Sequence, residues 1–552
     1  MNDQPRFTVL GKLISTVLVV GLIGLGVYML RSGRTSNQGG PSTSTANSEA
    51  PSAEVTEVKA EVPKLSPPAA FQFKDNTVPI EISEYAGYAG LIAANGGLDP
   101  TENSVFFKNH GFKVRLTIKE DENWSELNEG KMAASVTTVD VLAAYGKQLH
   151  AVVPAQIGFS RGADGIVVRS DIKRINQLKG KTIATAQFTE VDFFIRYLAQ
   201  EAGLQINMLG SLDAAPHPDR LNLVYTEDGF GAGDLFLKDI KSGKNKLAGC
   251  VTWEPKVSEV VDGSGGQAHV LTTNRNLLIV ADVLMVHRGF AQEQPKVVEG
   301  LVQGLLEGNR MVRDRPDQYL DLVGRAFKWS RDDTKKELAN VHLSNLPENV
   351  AFFSGAIDAA GSFESIYQSA VLAYGSDLIK DPPDASRFAQ LGALQAAEKS
   401  GLFKEQKIAI APIKSGGGAT VEADPLLSKD IRFLFEANSS VLDLSNQENI
   451  KNLESIKRLV QVSPGSTLLL RGHVDNARAE EFKRQGEAIL RSAALRAMAL
   501  SKERAGEIRK VLVERYSIDP KRIEVVGRGW EEPAGPNSDL NRRVEVQWFT
   551  IE

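Results

Sequence analysis

A single cysteine, Cys250, in 552 residues excludes a disulfide framework and any Cys-rich zinc site. Seven histidines are scattered without an H-E-x-x-H pair, so that helical zinc motif is absent as well. No metal and no organic cofactor are expected. A dominant charge is also missing. The 64 Lys and Arg face 69 Asp and Glu, and the net −5 leaves no basic footprint for nucleic acid. No G-x-S-x-G elbow, P-loop or paired-carboxylate motif stands in a supporting context, so the chain is not expected to be an enzyme. The Gly-rich GFGAGD of Gly229–Asp234 lacks the strand–turn–helix setting of a dinucleotide site and reads as a loop. What remains is 42% apolar and 24% charged, ordinary for soluble protein, in a chain too long for one core.

One stretch lacks charge altogether. Leu13–Leu30, LISTVLVVGLIGLGVYML, is 18 residues long, about the minimum for spanning a bilayer. Its length, and the absence of an A-x-A-like site directly after it, favour an uncleaved anchor over a signal peptide. With no ionisable group inside, it offers no ion path. Arg6 and Lys12 before the span and Arg31 and Arg34 after it leave the positive-inside rule balanced. Ser32–Pro68 is rich in Ser, Thr, Gly, Pro, Ala and Glu and buries too little to fold. The expected order is a cytoplasmic N-terminus (1–12), a transmembrane helix (13–30) and a disordered linker (31–70). A folded region (71–405), a second linker (406–427) and a C-terminal unit (428–552) follow.

From Phe71 to Phe403 strand and helix patterns alternate. VPIEIS (Val78–Ser83) and FKVRLTIKE (Phe112–Glu120) read as strands. TEVDFFIRYLAQEAGL (Thr189–Leu204) reads as a helix with Thr189 at its cap. Such alternation predicts an α/β fold with ligands at the carboxyl ends of strands. GADGIVVRSDIKRINQLKGKTIATA (Gly162–Ala186) resembles the periplasmic solute-binding proteins of the sulfonate, nitrate and thiamine-precursor type. EYAGYAG, ELNEGKMAASVTTVDVL, TWEPKV and IVADVLMVHRGF fall in the order that family shows. The resemblance implies two α/β lobes that close on a small molecule. Carried over by position, it lines the cleft with Tyr85, Tyr88, Thr137, Thr138, Ser160, Thr189, Trp253 and Glu254. Helix N-termini and hydroxyls suit an anion, and Tyr and Trp supply flat walls. Glu254 opposes a plain anion site, so the solute is left open.

After the Ser415–Ala419 glycines the pattern is β-α-β-α-β-β, a small two-layer sandwich. Phe435–Ser439, G-H-x-D at Gly472–Asp475, L-S-x-x-R-A at Leu500–Ala505, G-x-G at Gly527–Gly529 and N-R-R-V-E at Asn541–Glu545 follow in sequence. This unit resembles the OmpA-like peptidoglycan-binding domain. The resemblance implies that Asp475 and Arg504 grip the diaminopimelate of the wall peptide, with Gly472, Asn541 and Arg543 in the same site. The chemistry fits independently: a carboxylate and a guanidinium together read an ammonium and a carboxylate on one carbon. Arg504 is placed in the first turn of a helix. The site motifs stand further apart than the family pattern, because Ala477–Ala499 adds a helical segment. Ala497 also replaces the Asn common there.

Taken together, these residues predict a single-pass inner-membrane protein with its bulk in the periplasm. Its expected partners are peptidoglycan and a small solute of unknown identity. The alternative is an envelope scaffold whose solute-binding-like region meets a protein partner. A stator-like protein is disfavoured by the uncharged span, and an enzyme by the missing catalytic motifs.

Overall fold

The structure is a computed structural model that describes residues 54–119, 124–355, 361–410, 425–435, 439–463, 465–536 and 538–549. The expected membrane span at 13–30 lies outside the described residues. No described helix is long and apolar enough to cross a membrane.

The chain first lays down β1 (Thr77–Ile82), β2 (Lys113–Ile118), β3 (Ala134–Thr138) and β4 (Ala151–Ser160). It then crosses to a second sheet with β5 (Asp164–Arg169), β6 (Thr182–Ala186), β7 (Ile206–Met208), β8 (Leu221–Thr226), β9 (Gly249–Trp253) and β10 (Ala268–Thr273). It returns for β11 (Ala281–His287) and β12 (Val341–Leu343). The first sheet has the order β12-β4-β11-β3-β1-β2 and the second β10-β5-β9-β6-β8-β7. Each sheet with its helices is a lobe. Two crossovers, Ser160–Asp164 and Thr273–Ala281, join lobe 1 to lobe 2. β1, β3, β4, β5, β6 and β8 are buried along nearly their whole length, as strands covered by helices on both faces must be.

Helix ends follow their sequence signals. Ala89–Asn95 stops at Gly96, whose φ of 75° is left-handed. Gly229–Ser242 begins where the Asp228 carboxylate accepts from Gly231 N at 2.7 Å. GFGAGD is therefore the first turn of a helix, not a loop. Its glycines serve packing, since a Cβ on Gly229 would come within 2.2 Å of the Trp253 ring.

Residues 54–70, expected inside a disordered linker, instead form a strap with no regular secondary structure. Thr56 N donates to Tyr225 O of lobe 2 at 2.8 Å. Gln187, also of lobe 2, clamps Lys59 both ways, with N–H and C=O each at 2.8 Å. In lobe 1, Gln148 holds Leu65 N at 2.7 Å and Pro63 O at 3.0 Å. Asn128 O accepts from Ala69 N at 2.8 Å. The composition that signalled disorder does not reveal these partners, which come from residues 60 to 170 positions away. Residues 406–410 of the second expected linker are also held. Glu348 Oε1 accepts from Ala409 N and Ile410 N at 2.8 and 2.9 Å.

The C-terminal unit has β13 (Leu427–Ile431), β14 (Thr467–Gly472), β15 (Ile523–Gly527) and β16 (Val544–Phe549) in the order β13-β16-β14-β15. Helices Gln447–Val462 and Glu487–Tyr516 complete the expected β-α-β-α-β-β order. The added segment is a short helix, Ala479–Gln485, followed by the N-terminal half of that 30-residue second helix. Arg504 consequently lies in the middle of a helix, not in its first turn. β13 is an edge strand, and lobe 2 covers it. Asn176 Nδ2 donates to Ser428 O and Asn176 Oδ1 accepts from Ser428 N, both at 2.8 Å. Ile175 N donates to Leu426 O at 2.9 Å, and Leu278 N in the second crossover donates to Val462 O at 2.6 Å.

Candidate functional sites: a carboxylate between guanidiniums, and an acidic cleft

In the C-terminal unit β14 and β15 run parallel with Gly472 opposite Gly527. A Cβ on Gly472 would come within 2.0 Å of Ser501 O, and one on Gly527 within 2.4 Å of Met498 O. These glycines let the Glu487–Tyr516 helix cross the strand ends in backbone contact. Gly472 thus makes room for the helix rather than for a ligand. Ser501 Oγ then accepts from Gly529 N at 3.0 Å, fixing the loop that follows β15.

Beyond this crossing Asp475 leaves the sheet with a side chain 24% exposed. Its Oδ2 accepts from Arg542 Nε at 2.7 Å and its Oδ1 from Ala477 N at 3.2 Å. Burial pushes its carboxyl up, but the Arg542 bond and the Ala477 amide outweigh that and hold it below its ordinary value. Arg504 does not bond to Asp475. It donates to Ser439 O at 3.2 Å and lies over the Phe435 ring, 5.0 Å from the centroid. Partial burial, then the charge of Arg542, lowers the Arg504 pKa, while Asp475 opposes. Asp475 is therefore paired with the Arg542 guanidinium and within electrostatic reach of that of Arg504, which has an aromatic ring behind it.

Arg542 was the residue missed in the N-R-R-V-E motif, where Arg543 had been chosen. Arg543 turns away: it donates to Asp430 at 3.0 Å and to Glu532 O at 3.3 Å. Both lie in the bend between the short Ser538–Asn541 helix and β16, which sends the two side chains to different partners. Asn541 is buried and shapes the 534–535 loop, accepting from Ala534 N at 2.7 Å and donating to Gly535 O at 3.0 Å. Nearby, His473, Glu532 and Glu545 bring three ligand-type atoms within 4.8 Å of one another. Arg471 already supplies the cation there, at 2.7 Å from Glu532 and 3.1 Å from Glu545.

The second site lies where the lobes face each other. Tyr85 and Tyr88 follow β1 and meet edge to face, 5.4 Å between centroids. Thr137 and Thr138 end β3 and pair across with Val283 and Asp282 of β11. Ser160 ends β4 and donates to Asp164 Oδ2 at 2.6 Å. The Thr137 hydroxyl is buried without a hydrogen-bond partner, and those of Tyr85 and Thr138 are buried beside Ser160 and Asp140 without a hydrogen bond of good geometry. On the lobe 2 side, Trp253 ends β9 opposite Asp164 and packs on Phe230, 5.3 Å away. Glu254 caps the next helix, accepting from Ser258 N at 3.0 Å and Ser258 Oγ at 2.8 Å. Thr189 sits at its helix N-terminus, but its hydroxyl donates to Ala186 O at 2.8 Å and does not cap. Asp192, in the first turn of that helix, reaches back past the cap, its Oδ2 accepting from Phe188 N at 3.1 Å.

The carboxylates Asp140, Asp164, Asp192 and Asp282 were missed. All four are buried. Each stands in the sequence as a lone acid within a short apolar setting: TTVDVLAA, GADGIVV, EVDFFI and VADVLMV. That signal was readable, because an acid there must be paired, protonated or functional.

The architecture is thus a two-lobe α/β body carrying a C-terminal sandwich with an exposed carboxylate–guanidinium site. Residues 434–547 match the OmpA family model. Motility protein B of Helicobacter pylori (strain J99) is 27% identical over 180 residues, 31% of this chain and 63% of that protein. Outer membrane protein Omp38 of Acinetobacter baumannii is 26% identical over 124 residues, 21% of this chain and 30% of that protein. The chain therefore spans less than two thirds of these curated relatives. Among solved structures, the periplasmic aliphatic sulphonate binding protein SsuA of Escherichia coli is similar at 16% identity and a TM-score of 0.42, covering 56% of this chain and 96% of its own. The periplasmic nitrate-binding protein NrtA of Synechocystis PCC 6803 is similar at 12% identity and a TM-score of 0.41, covering 60% of this chain and 90% of its own. The chain joins an OmpA-family domain at its C-terminus to a region similar to periplasmic solute-binding proteins.

Proposed function

We propose that this chain is a membrane-anchored periplasmic binding protein that captures or senses a small solute and fastens non-covalently to peptidoglycan. The observation that carries the wall half is Asp475 paired with Arg542 and within electrostatic reach of Arg504 in the OmpA-family segment. An amino-acid head group of diaminopimelate offers an ammonium to Asp475 and a carboxylate to Arg504. Arg542 holds Asp475 ionised for that contact. The solute half rests on two lobes joined by two crossovers, with buried hydroxyls between them. In this reading Leu13–Leu30 is the anchor, and the wall ligand of the C-terminal unit requires residues 32–552 to lie outside the inner membrane, where peptidoglycan is.

Co-sedimentation of the detergent-solubilised full chain with diaminopimelate-type sacculi tests the wall half. Wild type pellets, while Asp475→Ala and Arg504→Ala each weaken binding about tenfold or more, the scale of a charged hydrogen bond. Equal pelleting of all three sinks this assignment. Alkaline phosphatase fused after residue 53 is active under this topology, and an inactive fusion reverses it.

The likeness to Motility protein B supports a second reading, an envelope scaffold. An ion-conducting role is disfavoured because Leu13–Leu30 contains no ionisable residue.

A further inference from the structure

The cleft is closed around acid. Asp140 of lobe 1 is fully buried, and neither carboxylate oxygen makes a hydrogen bond of good geometry; the donors beside it, the Thr138 hydroxyl and its own backbone N–H, are neutral. The charges that act on it are those of Asp164 and Asp192, both negative. Asp164 is held by Ser160 Oγ at 2.6 Å and Asn274 Nδ2 at 2.5 Å, which are neutral donors. Asp282 accepts from Tyr88 OH at 3.1 Å. The two buried guanidiniums nearby have other partners. Arg196 is 2.8 Å from Asp192 and 2.6 Å from Tyr225 OH, and Arg161 donates to Arg275 O at 3.2 Å. At the lip, Glu254 of lobe 2 acts on Glu337 of lobe 1, which burial and that charge push up to about 7. A buried carboxylate without a counter-charge is costly. Bringing the lobes together therefore asks for positive charge from outside.

We infer that the cleft takes a small organic cation, an ammonium or amidinium compound, with Asp140 as its counter-ion and the hydroxyls of Tyr85, Thr137 and Thr138 as its orienting groups. This rests on the solute-capture reading and narrows it. An anion is opposed twice. Glu190 and Asp192 already place negative charge in the first turn of the Glu190–Glu201 helix, and Asp140 would repel it. A bare metal ion is opposed by geometry. Among the described residues, three ligand atoms come within 4.8 Å of one another only at His473, Glu532 and Glu545. The cleft carboxylates are spread further, as a larger cation requires. The Tyr85 and Tyr88 rings supply flat faces for its apolar part.

The test uses thermal shift and calorimetry on the detergent-solubilised full chain at about pH 8.5, above the value near 7 at which Asp140 takes a proton. The cationic probes are methylammonium, choline, putrescine and agmatine, and the anionic probes ethanesulfonate and nitrate. At least one cation raises the melting temperature with saturable heat, and Asp140→Asn weakens it about tenfold or more. Without any probe, Asp140→Asn melts above wild type because the unbalanced charge is gone, which also shows that the variant folds. A response to an anion alone overturns the cation and leaves solute capture standing. No response to any probe overturns both. A cation response that survives Asp140→Asn overturns the counter-ion role.

Discussion

Asp475 and Asp192 each sit beside one arginine, at 2.7 and 2.8 Å, yet the two pairs differ in what surrounds them. The Asp475–Arg542 pair is open to water, with Arg542 51% exposed. The Asp192–Arg196 pair is 0% and 3% exposed. Water screens the first, so its members can exchange partners at little cost and a ligand can enter between them. The second is locked, because opening it strands a charge in the interior. Asp140, with the burial of the second and no arginine at all, is the unfinished version. The C-terminal site and the lobe interface thus use the same side chain in opposite ways: one keeps its carboxylate charged beside a guanidinium, the other buries it among neutral donors.

The largest expected effect separates the two arginine pairs. Arg196→Ala destabilises lobe 2 by about 3–5 kcal/mol, read as a lower denaturation midpoint. A loss as small as that of an exposed pair would break the contrast. Next comes Gly472→Ala, whose new methyl meets helix backbone. It costs the C-terminal unit roughly 1–3 kcal/mol and weakens sacculus binding only through lost folding, seen by parallel melting and pelleting. The pH response sharpens the comparison further. Asp140 takes a proton near pH 7 when folded and near its ordinary 3.8 when unfolded, burial being the cause. Between those values the folded chain holds more protons, so its stability rises as pH falls from about 7 towards 4. Asp164, raised to about 6, acts in the same direction. Asp475 behaves oppositely, since its folded value lies below 3.8. Its contribution is complete above pH 4 or so and fades only below that. Denaturation at a series of pH values should show the rise, and Asp140→Asn should flatten it. Smallest is Arg542→Ala, under about 1 kcal/mol of stability, although sacculus binding falls because Asp475 loses its orienting partner.

Much of this was legible in the chain. The β-α-β-α-β-β order and Asp475 followed from strand alternation and motif spacing, which are local signals. The strands and helices of the body followed from the same periodicities. Arg542 was lost to a one-residue choice that only the path of the bend before β16 decides. Gly472 was read as a ligand-side glycine because the helix that needs its space lies nearly thirty residues away. The strap at 54–70 was invisible because its hydrogen bonds go to Gln148 and Gln187, whose positions depend on the finished lobes. The acidic cleft was half legible. Each lone Asp in an apolar run announced a buried charge, but their convergence is a property of the closed fold.

The strap has a mechanical consequence. Its first ties, Thr56 to Tyr225 and Lys59 to Gln187, are to lobe 2. The C-terminal unit is likewise fastened to lobe 2, through Ile175 and Asn176. Under the proposed tethering, a pull between residue 54 and the C-terminal unit would meet lobe 2 first at both ends, and the bonds of the strap to Gln148 and Asn128 of lobe 1 would be loaded only after those to Tyr225 and Gln187 give way.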